Sequence, residues 1–340
     1  MKTIRLGRMS DEDLLKLRLR DLPLRMESAP LKKAIRQLYK ELEQRNIRFR
    51  PHVWLSGEFF TPDGIPGFAI PFYLAHPRLR RLERKEMFEV EGGTEQELMR
   101  ILRHEAAHAL DNAYQIHLKK SWREIFGSSK QAYPVAYKPK PNSRKYVLHL
   151  DSWYAQAHTT EDWAETFAVW LRPGSRWRHR YKGWPAFVKL EYVETLMQQL
   201  VNQKPKNRTR QQDEPLSQLS MTLEQYYKRK RKRYSLEYPS FYDRDLRRIF
   251  SDDPRFSTKP SASTFLRRHR SEIRGIVSRG TDVHSYTIDH VLDSIIERAK
   301  ELKLRVESSE KFTKQEAIIM LTVHTMNIVH SGRYRFHYGM

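Results

Sequence analysis

The spacing of apolar residues predicts a long amphipathic helix over residues 95–118. Apolar side chains recur there at every third or fourth position, as on a helix face that packs against a core. The recurring residues are Leu98, Ile101, Leu102, Ala106, Leu110 and Ala113. Thr94 followed by Glu97 fits a capping box, so we expect the helix to begin just after Thr94.

Shorter patterns predict the elements before this helix. Residues 30–45 have helical spacing, and residues 47–55 and 68–74 have the composition of strands. Glycine and proline cluster between the two strands, which is typical of turns. The pattern therefore predicts a helix and two strands before the long helix.

A second apolar pattern predicts a helix within residues 154–171, with Thr159 as its N-cap and Asp162 at its third position. Its apolar side consists of Trp163, Phe167, Trp170 and Leu171. Glu161 and Glu165 lie one turn apart on another face. If that face packs in a core, the carboxylates need a compensating partner; the alternative is a solvated acidic stripe.

The first long helix contains His104, Glu105 and His108 in an H-E-x-x-H pattern. Residues four apart lie on one helix face about 6 Å apart along the axis. Both imidazoles can therefore bind one zinc ion, while the carboxylate can take a proton from a metal-activated water. The pattern is typical of metal-assisted hydrolysis, although two packing histidines are the alternative for so short a motif.

A catalytic zinc ion usually takes three protein ligands and leaves its fourth position to water. Asp111 lies about 10 Å along the axis from His104, which is too far for both to bind one ion. The second helix offers better candidates. One of its glutamates can bind the metal, and the other can accept the spare N–H of a ligand histidine. From the residues alone, Glu161 and Glu165 can each take either role.

The two helices together resemble the gluzincin group of zinc peptidases and, more closely, the bacterial family of putative zinc-binding metallopeptidases. The similarity rests on H-E-x-x-H followed by residues 154–168, which read Tyr-Ala-x-x-His-x-x-Glu-Asp-x-Ala-Glu-x-Phe-Ala. The resemblance implies Zn²⁺ as the cofactor. The implied ligands are His104, His108 and Glu161, with Glu165 in the second shell.

Two further residues of this segment are candidates. Similarity to gluzincin toxins of the lethal-factor type implies that the Tyr154 hydroxyl donates to the tetrahedral intermediate; the alternative is a packing aromatic side chain. His158 lies three residues before Glu161 and can cap the helix, contact substrate or replace a ligand. We favour a structural, second-shell role for His158, because the ligand count is filled without it.

Length and composition indicate a second part of the chain. With 340 residues, of which 39% are hydrophobic, there is room for two domains with cores. Together with this room for two domains, the resemblance implies an α+β fold in which residues 1–203 form a zincin-like metallopeptidase domain, with a small sheet packed on the zinc-site helices. Residues 204–235 are predicted to form a basic linker, and residues 236–340 a small all-helical C-terminal domain.

The chain contains no cysteine, so neither disulfides nor thiolate metal sites can form. Its first residues lack the apolar core of a signal peptide, and no apolar run is long enough to span a bilayer. We therefore expect a cytoplasmic protein without a transmembrane segment.

Charge introduces a different class of function. Lys and Arg outnumber Asp and Glu by 63 to 41, which gives a net charge of +22. A basic run between two tyrosines consists of Lys228, Arg229, Lys230, Arg231, Lys232 and Arg233. Such a run can neutralise nucleic-acid phosphates while the tyrosines stack on bases. Acidic peptides, ribosomes and anionic membrane surfaces are alternative partners, and a solvated basic helix or linker needs none.

Taken together, the motifs predict a zinc-dependent hydrolase of peptide bonds that acts on a peptide or protein substrate, with Glu105 as the general base. The alternative is a basic nucleic-acid- or ribosome-associated binding protein with a structural zinc site. An inactive zincin that acts as a scaffold would carry the same residues. Turnover, which only the enzyme shows, distinguishes these hypotheses.

Overall fold

A computed structural model of the chain describes residues 5–26, 29–87, 89–134, 137, 140, 143–151, 153–234 and 242–330. The described residues fall into two compact units. Unit 1 lies within Met1–Glu86 and Val90–Tyr226, and unit 2 lies within Met87–Glu89 and Tyr227–Tyr334.

Unit 1 consists mainly of helices with a two-stranded sheet. Its helices are α1 (Asp11–Lys16), α2 (Ala29–Gln44), α3 (Pro77–Met87), α4 (Glu95–Tyr114), α5 (Lys120–Phe126), α6 (Thr159–Leu171), α7 (Trp177–Arg180) and α8 (Ala186–Leu200). Its strands are β1 (His52–Ser56) and β2 (Gly67–Pro71). The helices predicted over residues 30–45, over residues 95–118 and within residues 154–171 correspond to α2, α4 and α6. The strands predicted over residues 47–55 and 68–74 correspond to β1 and β2, but β1 begins only at His52, and Phe72–Ala75 form a 3-10 turn instead of continuing β2.

The two strands are parallel, with His52 opposite Gly67. Glycine is required there, because a Cβ at Gly67 would lie 2.5 Å from the His52 carbonyl oxygen. Their connection, residues 57–66, is shorter than the helical crossover that usually joins parallel strands. It instead turns back along the other edge of β2, where the N–H of Ala69 donates to the Phe60 carbonyl oxygen at 2.8 Å. The sheet can therefore form without a crossover helix.

Helix α4 carries the H-E-x-x-H pattern and begins where the sequence predicts. Thr94 Oγ1 accepts the N–H of Glu97 at 3.1 Å, which satisfies one of the free donors at the helix start. The helix ends at Tyr114, because Gln115 takes a left-handed conformation with φ of 54°. Residues Ile116–Leu118, which were predicted to continue the helix, form a separate 3-10 turn.

A buried ion pair joins α2 to α4. Arg103 donates from Nε to Glu41 Oε2 at 2.7 Å and from Nη2 to Oε1 at 2.9 Å. Both residues are buried, and the two parallel hydrogen bonds offset part of the cost of removing the charges from water. Since Arg103 directly precedes His104, this pair constrains the rotation of α4 at the H-E-x-x-H pattern.

Helix α6 packs between α4 and α8. Trp163 Nε1 donates to the Ala107 carbonyl oxygen on α4 at 3.2 Å, and Lys189 of α8 donates to Asp162 at 2.5 Å. Burial raises the pKa of Asp162 to about 7, although the charge of Lys189 acts in the opposite direction. Every residue from Glu161 to Leu171 is buried. The predicted apolar side is thus only one part of the buried surface of α6.

Residues 204–226, which form most of the predicted linker, make hydrogen bonds within unit 1. Trp54 of β1 donates to the carbonyl oxygen of Asp213 at 2.8 Å, and Leu19 N–H donates to that of Met221 at 3.0 Å. The predicted domain limits stay a prediction, because a compact unit need not be a domain that folds alone.

Unit 2 contains most of the remaining helices. These are α9 (Leu223–Tyr234, which begins in unit 1), α10 (Asp243–Ile249), α11 (Ala262–Thr281), α12 (Ser285–Glu301) and α13 (Glu310–His330). Unit 2 also contains β3 (Phe250–Ser251) and β4 (Arg305–Val306), which pair antiparallel. The prediction of an all-helical C-terminal part is therefore wrong in this detail. The strands were not predicted because two residues are too few to leave an alternating pattern in the sequence.

The described residues combine many helices with two small sheets, in agreement with the mixed composition predicted for an α+β fold. The zincin-like packing of the first part stays a prediction. None of the helices in the described part of the chain has both the length and the apolar composition that crossing a bilayer requires.

Replacing Arg103 with Met should lower the free energy of unfolding of unit 1 by about 3–5 kcal/mol, because the Glu41 carboxylate would stay buried without its cationic partner. Urea denaturation followed by tryptophan fluorescence measures this unit, since all seven tryptophans lie between Trp54 and Trp184. Arg36→Met, at an exposed position of α2, is the matched control and should leave the unfolding curve unchanged. Equal curves for both variants would contradict the stabilising role of the pair.

Candidate metal centre

Helix α4 places the two histidines of the H-E-x-x-H pattern next to each other. The ring centroids of His104 and His108 lie 4.9 Å apart, and their Nε2 atoms lie 3.1 Å apart. His104 is buried and His108 is half-buried. Two imidazole nitrogens at this distance can bind one ion, as their spacing in the sequence predicted.

Helix α6 adds a carboxylate to the two imidazoles. Glu161 Oε2 lies 2.9 Å from His104 Nε2 and 3.3 Å from His108 Nε2. Three atoms bound to a tetrahedral zinc ion at about 2.0–2.1 Å lie about 3.3 Å from one another. The potential ligand atoms of His104, His108 and Glu161 lie within 4.8 Å of one another, so both their chemistry and their spacing suit zinc.

Burial and charge act in opposite directions on this group. Burial by itself favours the neutral form of Glu161, but the neighbouring His108 and His104 hold the pKa of Glu161 well below its usual value. Burial likewise disfavours a charged His104, yet hydrogen bonds to Glu161 and Glu165 raise the pKa of His104 to about 10. The carboxylates therefore stabilise positive charge between α4 and α6, whether a proton or a metal ion carries it.

Glu165 lies on the other side of the His104 ring. Its Oε1 accepts the Nδ1–H of His104 at 2.8 Å, and its Oε2 accepts the N–H of Leu150 at 2.7 Å. A hydrogen bond at Nδ1 keeps the proton there and leaves Nε2 free to bind a metal. The two glutamates that the sequence left interchangeable thus contact opposite nitrogens of one imidazole.

The chain around Leu150 is held by side chains of α4 and its own neighbours. His149 Nε2 donates to the Arg100 carbonyl oxygen at 3.0 Å, and Arg100 donates to Asp151 at 2.9 Å. Burial lowers the pKa of His149 to about 4, so the ring is neutral and suited to donating a single N–H. These contacts keep the Leu150 N–H directed at Glu165.

Glu105 lies beside the two histidines and is buried. Thr61, in the connection between β1 and β2, donates its hydroxyl to Glu105 Oε2 at 2.8 Å. Burial raises the pKa of Glu105, which makes its carboxylate a stronger base than an exposed one. Sequence reasoning missed Thr61, because it stands in a turn-rich stretch without any pattern that links it to α4.

A cleft of about 840 Å³ is lined by His104, Glu105, His108, Glu161 and Thr61. The wall includes Phe59 and Thr61–Gly64 from the strand connection, Ser129–Tyr133 from the chain after α5, and Asn207 and Asp213 from the predicted linker. Ile101, Leu150 and Tyr154 supply apolar surface. The residues that the sequence singled out for metal binding therefore lie at an accessible cavity rather than in a closed core.

Tyr154 and His158 lie at the start of α6. The Tyr154 ring is buried, with its centroid 5.6 Å from that of His104, and it lines the cleft. His158 Nδ1 accepts the N–H of Thr160 at 3.2 Å, so His158 is the N-cap of α6. The prediction of Thr159 as the cap is wrong, because the His158 imidazole takes the role of the expected hydroxyl; capping was one of the roles considered for His158.

Tyr133 also contacts the centre, and sequence reasoning did not find it. Its hydroxyl donates to Glu161 Oε1 at 2.7 Å. Partial desolvation of the hydroxyl raises the pKa of Tyr133, and the negative charge of Glu161 adds to this effect, so the phenol stays protonated and able to donate. No periodic pattern surrounds Tyr133, and the sequence therefore contained no signal for its position.

The basic run lies on α9, in the part of that helix that belongs to unit 2. Lys228 and Arg229 are exposed, Arg231 is half-buried and Lys230 is 5% exposed. The side chains of Lys232 and Arg233 lie outside the described residues. Because Lys230 is buried, the run does not present an uninterrupted row of charges, and no finding supports a nucleic-acid partner.

Residues 73–175 match the model of a protein family described as "Putative zinc-binding metallo-peptidase". This confirms, for that segment, the resemblance that the sequence motifs indicated. The match contains the histidine and glutamate group, and zinc is the cofactor for which the family is described. Comparisons with curated proteins and with solved structures gave no match.

Replacing Glu165 with Gln should weaken zinc binding by about 10–100-fold, because the neutral amide orients and polarises the His104 ring less well than the carboxylate does. Competition with a zinc-binding dye measures the affinity. Glu191→Gln, at an exposed position of α8, is the control and should keep the affinity of the unchanged chain. An unaltered affinity for the Glu165 variant would show that this hydrogen bond does not act on the metal.

Proposed function

We propose that this protein is a zinc-dependent hydrolase of peptide bonds, with His104, His108 and Glu161 as the zinc ligands. The observation that carries the proposal is the convergence of His104 Nε2, His108 Nε2 and Glu161 Oε2 within 4.8 Å of one another at the wall of a cleft. The family match over residues 73–175 supports the same reading.

Glu105 carries out the proton transfers of the reaction. When bound, zinc lowers the pKa of a water molecule and polarises a substrate carbonyl oxygen. Glu105 Oε1 takes the proton from the attacking water, because Oε2 already receives the Thr61 hydroxyl. The same carboxyl group then gives the proton to the leaving amine nitrogen. Its raised pKa suits both steps.

The surrounding residues orient these groups. Glu165 fixes the proton of His104 on Nδ1 and so directs Nε2 towards the metal. Tyr154 lines the cleft beside His104, where its hydroxyl can donate to the oxygen that gains negative charge during attack. His158 acts from further out, as the cap of α6.

The cleft indicates how a substrate is held. Its volume of about 840 Å³ is large enough for several amino-acid residues, and its walls come mainly from loops, as in most binding sites. We assign it to a peptide or an accessible segment of a protein. Thr61, whose hydroxyl bonds to Glu105, and residues 129–133 form walls of the cleft. These walls limit the directions from which a peptide substrate can approach Glu105.

The first test is the metal content. The purified chain should contain one equivalent of zinc, and His104→Ala should lose most of it, because a site with two protein ligands binds zinc far more weakly than one with three. Elemental analysis after dialysis measures both. His179→Ala, at an exposed position of α7, should retain the full equivalent. Retention of all zinc by His104→Ala would refute the proposed ligand set.

The second test separates catalysis from metal binding. Glu105→Gln should keep its zinc and its fold but lower the rate by about 10²–10⁴-fold, because the amide cannot accept the proton. Hydrolysis of a library of quenched fluorescent peptides measures the rate, with Glu191→Gln as the control. Equal rates for the Glu105 variant and the unchanged chain would exclude Glu105 as the base. If the zinc-loaded chain cleaves no member of the library, the scaffold hypothesis is favoured instead.

A further inference from the structure

The two oxygens of Glu161 have different partners. Oε2 faces the Nε2 atoms of His104 and His108, whereas Oε1 accepts the hydroxyl of Tyr133 at 2.7 Å. The same hydroxyl lies 2.5 Å from Thr160 Oγ1. Tyr133 therefore contacts the side of the carboxylate that points away from the histidines.

Several contacts hold the segment Ser128–Tyr133 against the start of α6. Thr159 Oγ1 donates to the Ser128 carbonyl oxygen at 3.1 Å, and His158 Nε2 donates to that of Gln131 at 2.9 Å. The rings of Tyr133 and His158 are stacked, with centroids 4.0 Å apart and planes inclined by 21°. The phenol is therefore positioned by backbone and ring contacts that do not involve its hydroxyl.

A carboxylate can bind a metal through one oxygen or through both, and the choice depends on what else its oxygens contact. A hydrogen bond from a neutral donor to one oxygen favours binding through the other, because binding through both would require that bond to be given up. Glu161 is buried, so water is a poor substitute for a lost donor at Oε1. Its orientation thus depends on the donor that the protein supplies.

We propose that Tyr133 is a positioning residue of the metal centre, whose hydroxyl keeps Glu161 bound to zinc through Oε2 alone. The proposal rests on the proposed role of Glu161 as a zinc ligand. It makes the segment Ser128–Tyr133, which has no helix or strand, a functional part of the site. His158 then contributes through Tyr133, since its ring supports the phenol.

Tyr133→Phe is the decisive variant, because phenylalanine keeps the ring stacked on His158 and removes only the hydroxyl. Tyr133 is 38% exposed, so the substitution should not disturb the core. Tyr146→Phe is the matched control: this tyrosine contacts Lys189 through its ring face and belongs to no part of the proposed site. Circular dichroism should be the same for both variants.

Zinc affinity, measured by competition with a zinc-binding dye, should fall about 10–100-fold in Tyr133→Phe and stay within about twofold in Tyr146→Phe. Cobalt substitution gives a second readout. The visible absorption of the Co²⁺-loaded Tyr133→Phe protein should become weaker, because binding through both oxygens raises the coordination number. Unchanged affinity together with an unchanged cobalt spectrum would overturn the proposal.

A double-variant comparison shows whether the hydroxyl acts through Glu161. In the Glu161→Ala background, with a weaker competitor, Tyr133→Phe should change zinc affinity by less than about twofold. An equal loss in both backgrounds would mean that Tyr133 acts on the fold in general, which contradicts the proposal. If His104→Ala keeps its zinc, the proposed ligand set is wrong. If His104→Ala loses its zinc but Tyr133→Phe has the zinc affinity and cobalt spectrum of the unchanged chain, the ligand set stands and the positioning role of Tyr133 is wrong.

Discussion

The packing of α6 against α4 is the contact on which the rest of the centre depends. It buries His104, Glu161 and Glu165 together, although each of these groups would by itself lose free energy on leaving water. Burial is tolerated because the groups compensate one another: each carboxylate faces one nitrogen of the same imidazole. The two helices thus place two carboxylates around one imidazole, and a divalent cation bound there would neutralise their negative charge.

Several supports of this centre come from segments with little regular structure. The N–H of Leu150 bonds to Glu165, the Thr61 hydroxyl bonds to Glu105, and the Tyr133 hydroxyl bonds to Glu161. Helices by themselves can place side chains only on their own faces, so donors that approach from other directions must come from loops. The helices therefore determine the positions of the charged groups, while the loops determine how those groups are oriented.

The sequence was most informative where one element contained the whole signal. Helix α4 was predictable because its apolar spacing and its Thr94 cap extend over several turns, whereas its end at Gln115 depends on a single left-handed residue. The cap of α6 was assigned to Thr159, although His158 had also been considered, because both side chains offer an acceptor just before the helix and the sequence does not fix its first turn. The two-residue strands of unit 2 are too short to leave a pattern in the sequence. Residues 204–226 were predicted to be part of a linker because they are polar, and composition alone does not show that they form hydrogen bonds within unit 1.

What the sequence by itself determined about this protein is the content of its site: two histidines and a glutamate at helical spacing, and two further glutamates one turn apart on a second helix. Helix geometry fixes the distances between residues four apart, so this information is local. Only the tertiary structure decided that Glu161 lies at Nε2 and Glu165 at Nδ1 of His104, and that Thr61 and Tyr133 complete their hydrogen bonds. Distances between residues on separate elements depend on packing, and the spacing of residues along the chain does not contain them.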